Sequence, residues 1–199
     1  MSKPSALTGI VSPALEWLWG HLRDTPNPSL LDCGGVRQSA VDAIFRRGGR
    51  LFVTDLLKPL LDEADDYWDR TQKPAVFRAN DFLSELPAIP KENLSAILGW
   101  HVFDLLPRES LPRVVERFWS YLRTDGVLMI LLREPQLTVG ADTQWWLHSL
   151  DKLGTSGEGN RPFPYAAVTN REMERLIPNA TLKTFLTRSG RREVVALKK

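Results

Sequence analysis

Three acidic residues follow three short apolar segments of the chain. Asp32 ends "SLLD", Asp55 ends "LFVTD" and Asp81 ends "PAVFRAND". An ionised carboxylate accepts hydrogen bonds at both oxygens, so one such side chain can bind both hydroxyls of a vicinal diol. Gly34 and Gly35 follow Asp32, and glycine permits a sharp turn whose amides approach a ligand closely. Each acid alone is better explained as a helix cap, but the three together predict a site for a ligand that carries a diol.

The elements that must position these acids alternate between strands and helices. Apolar runs predict strands over 28–33, 50–55, 74–81, 94–100 and 127–132. Helical spacing predicts helices in "SPALEWLWGHLRD" and over 40–49, 58–71 and 111–126. Strands separated by helices favour a parallel sheet covered on both faces. Ligands bind such sheets beyond the carboxyl ends of the strands, and the three acids fall at such ends.

The C-terminal third follows a different pattern. A helix is expected over 140–154, then a loop over 155–164. Thr169 and Glu172 form a capping-box pair at the start of another helix. Residues 181–199 contain two strand-like runs around "RSG", which predict an antiparallel hairpin. We therefore expect one α/β domain over 1–199, with an N-terminal helical segment at 1–27.

Composition limits the classes of function. With 26 basic and 24 acidic residues the net charge is 26 − 24 = +2, which gives no general attraction to nucleic acid or membranes. The single cysteine, Cys33, cannot form an internal disulfide, and we expect no metal. The longest aliphatic run, at 126–132, is too short to span a bilayer. Without a recognisable signal peptide, a cytoplasmic protein is expected.

From about residue 28 onward the sequence resembles the class I S-adenosylmethionine-dependent methyltransferases. Members carry an apolar strand, an acid and a glycine-rich turn, and a second acid follows the second strand. Here "LLDCGG" precedes Asp55, which lies 23 residues after Asp32. In "DCGGVRQ" only the first of the family's three glycines remains in register. A dinucleotide dehydrogenase fits less well, because "GGVRQS" lacks the spacing G-x-G-x-x-G.

The resemblance implies a three-layer Rossmann-like fold. Its sheet would be seven-stranded and mostly parallel, with an antiparallel C-terminal hairpin strand and helices on both faces. Residues 28–133 would form the half that binds S-adenosylmethionine, with S-adenosylhomocysteine as the product, and 134–199 the substrate side. The implied cofactor contacts are Asp32, Gly34 and Gly35 at the turn, Asp55 at the ribose, Leu56, Asp81 and Phe82 at the adenine, and Gly99 and Trp100 along the transfer channel.

Candidate residues for the methyl acceptor lie after the fourth strand and among the aromatic side chains. His101 could take a proton from a hydroxyl or amine, or it could simply be hydrogen-bonded within its loop. The family's acceptor pocket draws on segments that here supply Trp17, Trp145, Trp146 and Tyr165. Aromatic walls suit a planar, apolar or cationic acceptor. Packing in the core or at a dimer interface explains the same residues.

Two functions remain open. One is methyl transfer to a small molecule by direct in-line displacement, and the other is an inactive relative that serves as an interaction module, with a protein partner or as a homodimer. Nucleic-acid methylation is less favoured, because "GWHVFD" replaces the Asn/Asp-Pro-Pro-Tyr/Phe motif. We expect the basic residues of the C-terminal hairpin to form a solvated strand face; they are Arg188, Arg191, Arg192, Lys198 and Lys199.

Overall fold

The computed structural model describes residues 9–62, 65–134, 140–157, 159–187 and 191–199. The helices are α1 (Pro13–His21), α2 (Gln38–Arg46), α3 (Leu57–Leu61), α4 (Ala79–Ser84), α5 (Val102–Leu105), α6 (Leu111–Tyr121) and α7 (Asn170–Leu176). The strands are β1 (Ile10–Val11), β2 (Ser29–Asp32), β3 (Arg50–Val53), β4 (Trp68–Asp69), β5 (Val76–Phe77), β6 (Leu94–Trp100), β7 (Leu122–Arg133), β8 (Trp145–Ser149), β9 (Lys152–Thr155), β10 (Ala180–Leu186) and β11 (Arg191–Lys198).

The central sheet has the order β10-β11-β7-β6-β2-β3. Its β3, β2, β6 and β7 strands are parallel, whereas β11 runs antiparallel to both β7 and β10. This confirms the α/β Rossmann-like class and the antiparallel C-terminal hairpin. The sheet has six strands in the part of the chain that the structure describes, against the seven that the resemblance implied.

Both faces of the sheet are covered. All seven residues of β6 are buried, and successive side chains of a strand point to opposite faces. Helix α6 contacts β7, α1 contacts β7 and β11, and α2 contacts β3. None of the helices in the described ranges combines the length and the apolar character needed to cross a bilayer.

The strand expected over 74–81 is wrong in extent and in position. Only β5 is extended there, and it pairs with β4 in a separate two-stranded sheet, while α4 begins at Ala79. The helix expected over 58–71 also ends early, at Leu61. Asp69 accepts hydrogen bonds from the backbone and hydroxyl of Thr71, a local turn that competes with helix formation.

The helix expected over 140–154 is wrong. The hairpin β8–β9 begins at Trp145, and β1 adds a third strand by pairing Ile10 with Leu153. Trp145 and Leu147 are buried while Trp146 is only half-buried, which is the two-residue period of a strand. The apolar positions are compatible with either period, and pairing with the distant β1 favours the strand.

Candidate functional site

The carboxylate of Asp32 is buried at the end of β2. Its Oδ1 accepts hydrogen bonds from the amide of Gly34 at 2.9 Å and from Nε1 of Trp100 at 2.5 Å. Burial raises the pKa of Asp32 to about 6. The two hydrogen bonds lower this pKa and the charge of Asp55 raises it, but the loss of solvation is the largest effect. Asp32 therefore stabilises the turn through these two hydrogen bonds. Its carboxylate is buried and not accessible to a ligand.

Gly34 makes room for an indole. A Cβ atom at this position would lie 2.7 Å from Cδ1 and 3.0 Å from Nε1 of Trp100, closer than such atoms approach without movement. Trp100 is 1% exposed and ends β6. The glycine that remains in register is therefore explained by packing between β2 and β6.

The rest of the turn is unstrained although two glycines are replaced. Residues 34–38 are all described, and none of them adopts a positive φ. Val36 is 72% exposed, so its side chain points outward at the mouth of a cavity. Arg37 stacks on Trp146 at 4.6 Å and donates to the side chain of Gln144. Residues 34–38 therefore form this turn without a backbone conformation that requires glycine.

Asp55 lies beyond the end of β3 and is exposed. Its Oδ1 accepts from the amides of Leu57 and Lys58, at 3.2 and 3.0 Å, which caps α3. Its Oδ2 would lie 3.2 Å from a Cβ atom on Gly35. One oxygen thus fixes the carboxylate, and the other faces the glycine turn across a narrow gap.

These residues line a cavity of about 560 Å³ beyond the carboxyl ends of β2 and β3. Its wall comprises residues 35–37, 55, 57, 58, 61, 62, 142–145 and 161. Three basic side chains (Arg37, Lys58, Arg161) are balanced by three acidic ones (Asp55, Asp62, Asp142). The cavity has a size typical of small-molecule sites and would accept a ligand that carries both signs of charge.

A second cavity of about 410 Å³ adjoins the first. The two share Leu61 and Arg161 in their walls, and Arg161 donates to the carbonyl of Leu61 at the junction. The second wall also includes Trp68, Phe163 and Tyr165. Two ligands bound in these cavities would be neighbours.

His101 lies between the aromatic walls of the two cavities. Its ring contacts Phe163 at 5.6 Å and Trp145 at 6.2 Å between centroids. Its Nδ1 pairs at 3.0 Å with Oδ2 of Asp104, an oxygen that also accepts from the amide of Arg133. Among the described residues Nε2 has no partner. The buried His101 adopts a left-handed backbone at φ 46°, so a specific packing arrangement stabilises this conformation.

Comparison with known proteins rests on structure. No family model matches, and the sequences of curated proteins give no significant match. A putative type 11 methyltransferase from Sulfolobus solfataricus superposes with a TM-score of 0.51 at 15% identity, over 96% of this chain and 94% of that one. A SAM-dependent methyltransferase from Aquifex aeolicus gives 0.51 at 10% identity, over 99% and 94%. A possible exported protein from Bordetella parapertussis gives 0.50 at 13%, over 92% and 66%.

The chain has the class I S-adenosylmethionine-dependent methyltransferase fold. Sheet order, the antiparallel hairpin and these superpositions agree. Identities of 10–15% establish the fold, and function must be argued from the site.

Within this methyltransferase fold, several residues expected at the adenine lie away from the 560 Å³ cavity. Leu56 is fully buried in the core, and Leu57 lines the cavity in its place. Asp81 is in the first turn of α4 and pairs with Arg78 at 3.4 Å. Phe82 is buried against Tyr67 and Phe77. The short β5 and the early start of α4 explain the position of Asp81 and Phe82. Gly99 is buried within β6.

The four expected acceptor residues are separated by the structure. Trp145 lines the first cavity and Tyr165 the second. Trp17 stacks on His21 and Lys183, and Trp146 packs on Arg37 and Gly154. Neither of these two tryptophans lines either cavity.

The expectation of a solvated basic hairpin is wrong for Arg191 and Arg192, which are 2% and 6% exposed. Arg191 stacks on Trp145 at 4.7 Å, and burial lowers its pKa. Arg192 donates to Asn170 and to the carbonyl of Val168. Aromatic and hydrogen-bonding partners from distant segments compensate for their burial. Arg188 lies outside the described residues.

Several residues of the cavities were missed in the sequence. Asp142 accepts from the amide of Arg161 at 3.0 Å, and both line the first cavity together with Lys58. Asp104 is fully buried beneath His101. Its place three residues after His101 was the available signal, because this spacing brings side chains together in a helical turn.

Proposed function

We propose that this chain binds S-adenosylmethionine in the 560 Å³ cavity and transfers its methyl group to a small molecule in the adjoining cavity. The observation that carries the proposal is the exposed carboxylate of Asp55, fixed opposite Gly35 at the edge where this fold binds ligands.

The residues of the first cavity fit this cofactor. Oδ2 of Asp55 is the natural acceptor for the ribose hydroxyls, since Oδ1 is engaged by two amides. Leu57, Leu61 and Trp145 supply apolar contacts for the adenine. The balanced basic and acidic side chains suit the carboxylate and ammonium of the amino-acid portion. When bound, S-adenosylmethionine would supply an electrophilic methyl group to a nucleophile positioned in line.

His101 is the proposed proton acceptor for a hydroxyl or amine substrate. Asp104 accepts from Nδ1–H, which leaves the lone pair of Nε2 without a partner among the described residues. Nε2 is buried and His101 lines neither cavity, so a substrate would reach it only if Trp145 or Phe163 moved. The ring lies against Phe163 of the second cavity. The amide of Arg133 also donates to Asp104 and holds its carboxylate in place. Asp104 would therefore fix the orientation and the tautomer of the His101 ring.

A second candidate is a cofactor-free interaction module, and one observation favours it. The space beside Gly34 is filled by Trp100, and the turn after it carries Val36 and Gln38 where the family has glycines. In that case the first cavity would bind another ligand or a segment of a partner.

Calorimetric titration with S-adenosylmethionine and S-adenosylhomocysteine tests the proposal. We expect micromolar dissociation constants, equivalent to about −8 kcal/mol. No binding at millimolar ligand would refute cofactor binding and leave the interaction module as the better explanation.

The Asp55→Asn variant locates the site. Asparagine keeps an oxygen that can cap α3 but removes one acceptor and the charge, so we expect cofactor affinity to fall at least tenfold without loss of fold. The matched control is Asp24→Asn, which removes the same charge from an exposed position outside both cavities and should change affinity less than threefold. Equal effects of the two substitutions would show that Asp55 has no specific contact.

A further inference from the structure

We propose that Phe163 determines which methyl acceptors reach His101, because its ring is the gate between the 410 Å³ cavity and the imidazole. The use of this gate in methyl transfer rests on the proposed function. The opening of the gate concerns the protein alone and is tested without cofactor or acceptor.

His101 is enclosed between two rings, one from each cavity. Phe163 lines the second cavity and lies 5.6 Å from the His101 ring, whereas Trp145 lines the first cavity and lies 6.2 Å away. The imidazole is 3% exposed, and among the described residues its Nε2 has no partner. One of the two rings must therefore move before a bound molecule can contact Nε2.

The two rings are attached to different kinds of backbone. Trp145 begins β8, whose residues pair with β9 in an antiparallel ladder, and its side chain is buried. Phe163 lies in the segment 159–169, which contains no helix or strand, and it is half-buried between the exposed Pro162 and Pro164. Side chains on exposed irregular segments change rotamer more easily than side chains packed within a sheet. The backbone therefore favours movement of Phe163.

The cations stacked on the two rings favour the same choice. Trp145 lies 4.7 Å from the guanidinium of Arg191, which is 2% exposed, so moving the indole would leave a buried cation without its aromatic partner. Phe163 lies 4.8 Å from the guanidinium of Arg133, which is half-buried and also donates to the carbonyl of Tyr165. Arg133 keeps that hydrogen bond when the ring rotates. Opening therefore costs less at Phe163 than at Trp145.

Rotation of the Phe163 ring connects His101 with the space where the acceptor would bind. The ring is part of the wall of the second cavity, so its displacement extends that cavity towards the imidazole. Trp145 remains between His101 and the first cavity. Because Asp104 occupies Nδ1, Nε2 is the nitrogen that becomes accessible. The size of the side chain at position 163 therefore limits which acceptors can reach it.

Reaction with diethyl pyrocarbonate tests the gate, because this reagent acylates the unprotonated nitrogen of an accessible imidazole. The chain has three histidines, so peptide mass spectrometry gives the rate of each, and the half-buried His148 is the internal reference. We expect His101 of the wild-type protein to react at least tenfold more slowly than His148. Phe163→Ala should raise the His101 rate at least tenfold and leave the His148 rate within twofold. Phe163→Leu is less disruptive to folding and should give an intermediate rate.

Phe185→Ala is the matched control for the loss of a phenylalanine ring. Phe185 is a half-buried residue of β10, and the described rings in contact with His101 are those of Phe163 and Trp145. This substitution should change the His101 rate less than threefold. The wild-type rate should stay constant in subdenaturing urea, because rotation of one ring exposes little surface. Exposure of His101 through unfolding would instead accelerate steeply with denaturant.

Three results would each overturn the gate. They are a wild-type His101 rate equal to that of His148, an acceleration below threefold in both Phe163→Ala and Phe163→Leu, and a wild-type rate that rises steeply with urea. A larger acceleration in Trp145→Phe than in Phe163→Ala would place the entrance at the first cavity and overturn the gate as well.

These results are separable from those that test the proposed function. Acceleration at His101 in Phe163→Ala without S-adenosylmethionine binding to the wild-type protein supports the gate and refutes methyl transfer. S-adenosylmethionine binding without that acceleration refutes the gate and leaves the cofactor site of the proposed function intact.

Discussion

At the scale of single residues, Asp32, Gly34 and Trp100 form one buried unit. The carboxylate accepts from both partners, and the glycine provides the space for the indole. The arrangement explains why one glycine of the turn is retained while the next positions vary. It also means that the turn's geometry depends on a side chain from β6, the strand that pairs directly with β2.

The energetic coupling between Gly34 and Trp100 can be measured with a double-mutant cycle. Gly34→Ala places a methyl group 2.7 Å from the indole, and we expect it to lower the free energy of unfolding by roughly 1–3 kcal/mol. In a Trp100→Leu background the same substitution should cost at least about 1 kcal/mol less, since the two positions are in contact. Chemical denaturation of the four proteins gives the coupling energy.

Gly20→Ala is the matched control for that cycle. Gly20 is exposed within α1, and a Cβ atom there meets nothing within 4 Å. Alanine should raise stability by up to about 1 kcal/mol through its better helix propensity. Additive effects of Gly34→Ala and Trp100→Leu would contradict the steric explanation of the glycine at position 34.

The residues of the site could be predicted from sequence only where a short local pattern fixes them. Asp32 is the last residue of β2 and Asp55 lies beyond the end of β3, as an acid after an apolar run indicates. Asp81 does not, because the strand before it is two residues long and belongs to another sheet. Asp142 and Arg161 reach the first cavity through loops around β8 and β9, and no local pattern specifies where such loops fold.

At the scale of elements, the sequence predicts the parallel strands and most of the helices well. Buried strands in a parallel sheet are continuous apolar runs, and the segment 94–100 is entirely buried. The hairpin β8–β9 was mistaken for a helix because its apolar residues fit both periods. The pairing of β9 with β1 favours the strand over the helix. That pairing joins segments about 140 residues apart, so a local sequence pattern does not predict it.

The junction of α1 with the sheet depends on a buried polar group. Ser12 accepts from the amide of Leu15 as the N-cap and donates to Oε2 of Glu193 at 2.7 Å. The same Oε2 accepts from the amide of Ala14. Ser12 is also connected to the β8–β9 turn, where its amide donates to the carbonyl of Asp151. One residue therefore links α1, β11 and the small sheet.

Ser12→Ala should lower the free energy of unfolding by about 2–3 kcal/mol. The loss of a helix cap contributes about 1 kcal/mol, and the buried carboxylate of Glu193 loses a hydroxyl donor as well. Thr169→Ala is the control, because Thr169 caps α7 with an equivalent bond but is exposed. We expect it to cost about 1 kcal/mol or less. Equal losses in the two variants would show that the bond to Glu193 adds nothing.

At the scale of the whole molecule, two neighbouring cavities at one edge of the sheet differ in charge. The first is balanced and the second carries only basic groups among its described lining residues. The chain's net charge of +2 gives no hint of this separation, since it depends on which loops meet. The global composition therefore says little about ligands, because the residues that line each cavity come from segments far apart in the chain.

Stability of the whole molecule should fall as the pH rises from about 4 to 6. Asp32 has a folded-state pKa of about 6 against 3.8 when solvated, so the folded protein binds more protons than the unfolded chain within this window. The contribution is fully present below the unfolded pKa and is lost as the pH rises through the folded value. The two pKa values correspond to roughly 3 kcal/mol. Chemical denaturation between pH 4 and 7.5 measures the change.

Asp32→Asn isolates this carboxyl from the others. Asparagine offers an oxygen to the amide of Gly34 and to Trp100 but carries no charge. Its stability relative to wild type should rise between pH 4 and 6 and stay constant above. Asp69, Asp151 and Glu172 have pKa values lowered from 3.8, 3.8 and 4.5, so their stabilising contributions are lost as the pH falls through the lower folded values, and both proteins share them. Parallel pH profiles for the two proteins would mean that Asp32 ionises in the folded state as easily as in water. The burial and hydrogen bonds of its carboxylate would then not be the interactions that stabilise the turn.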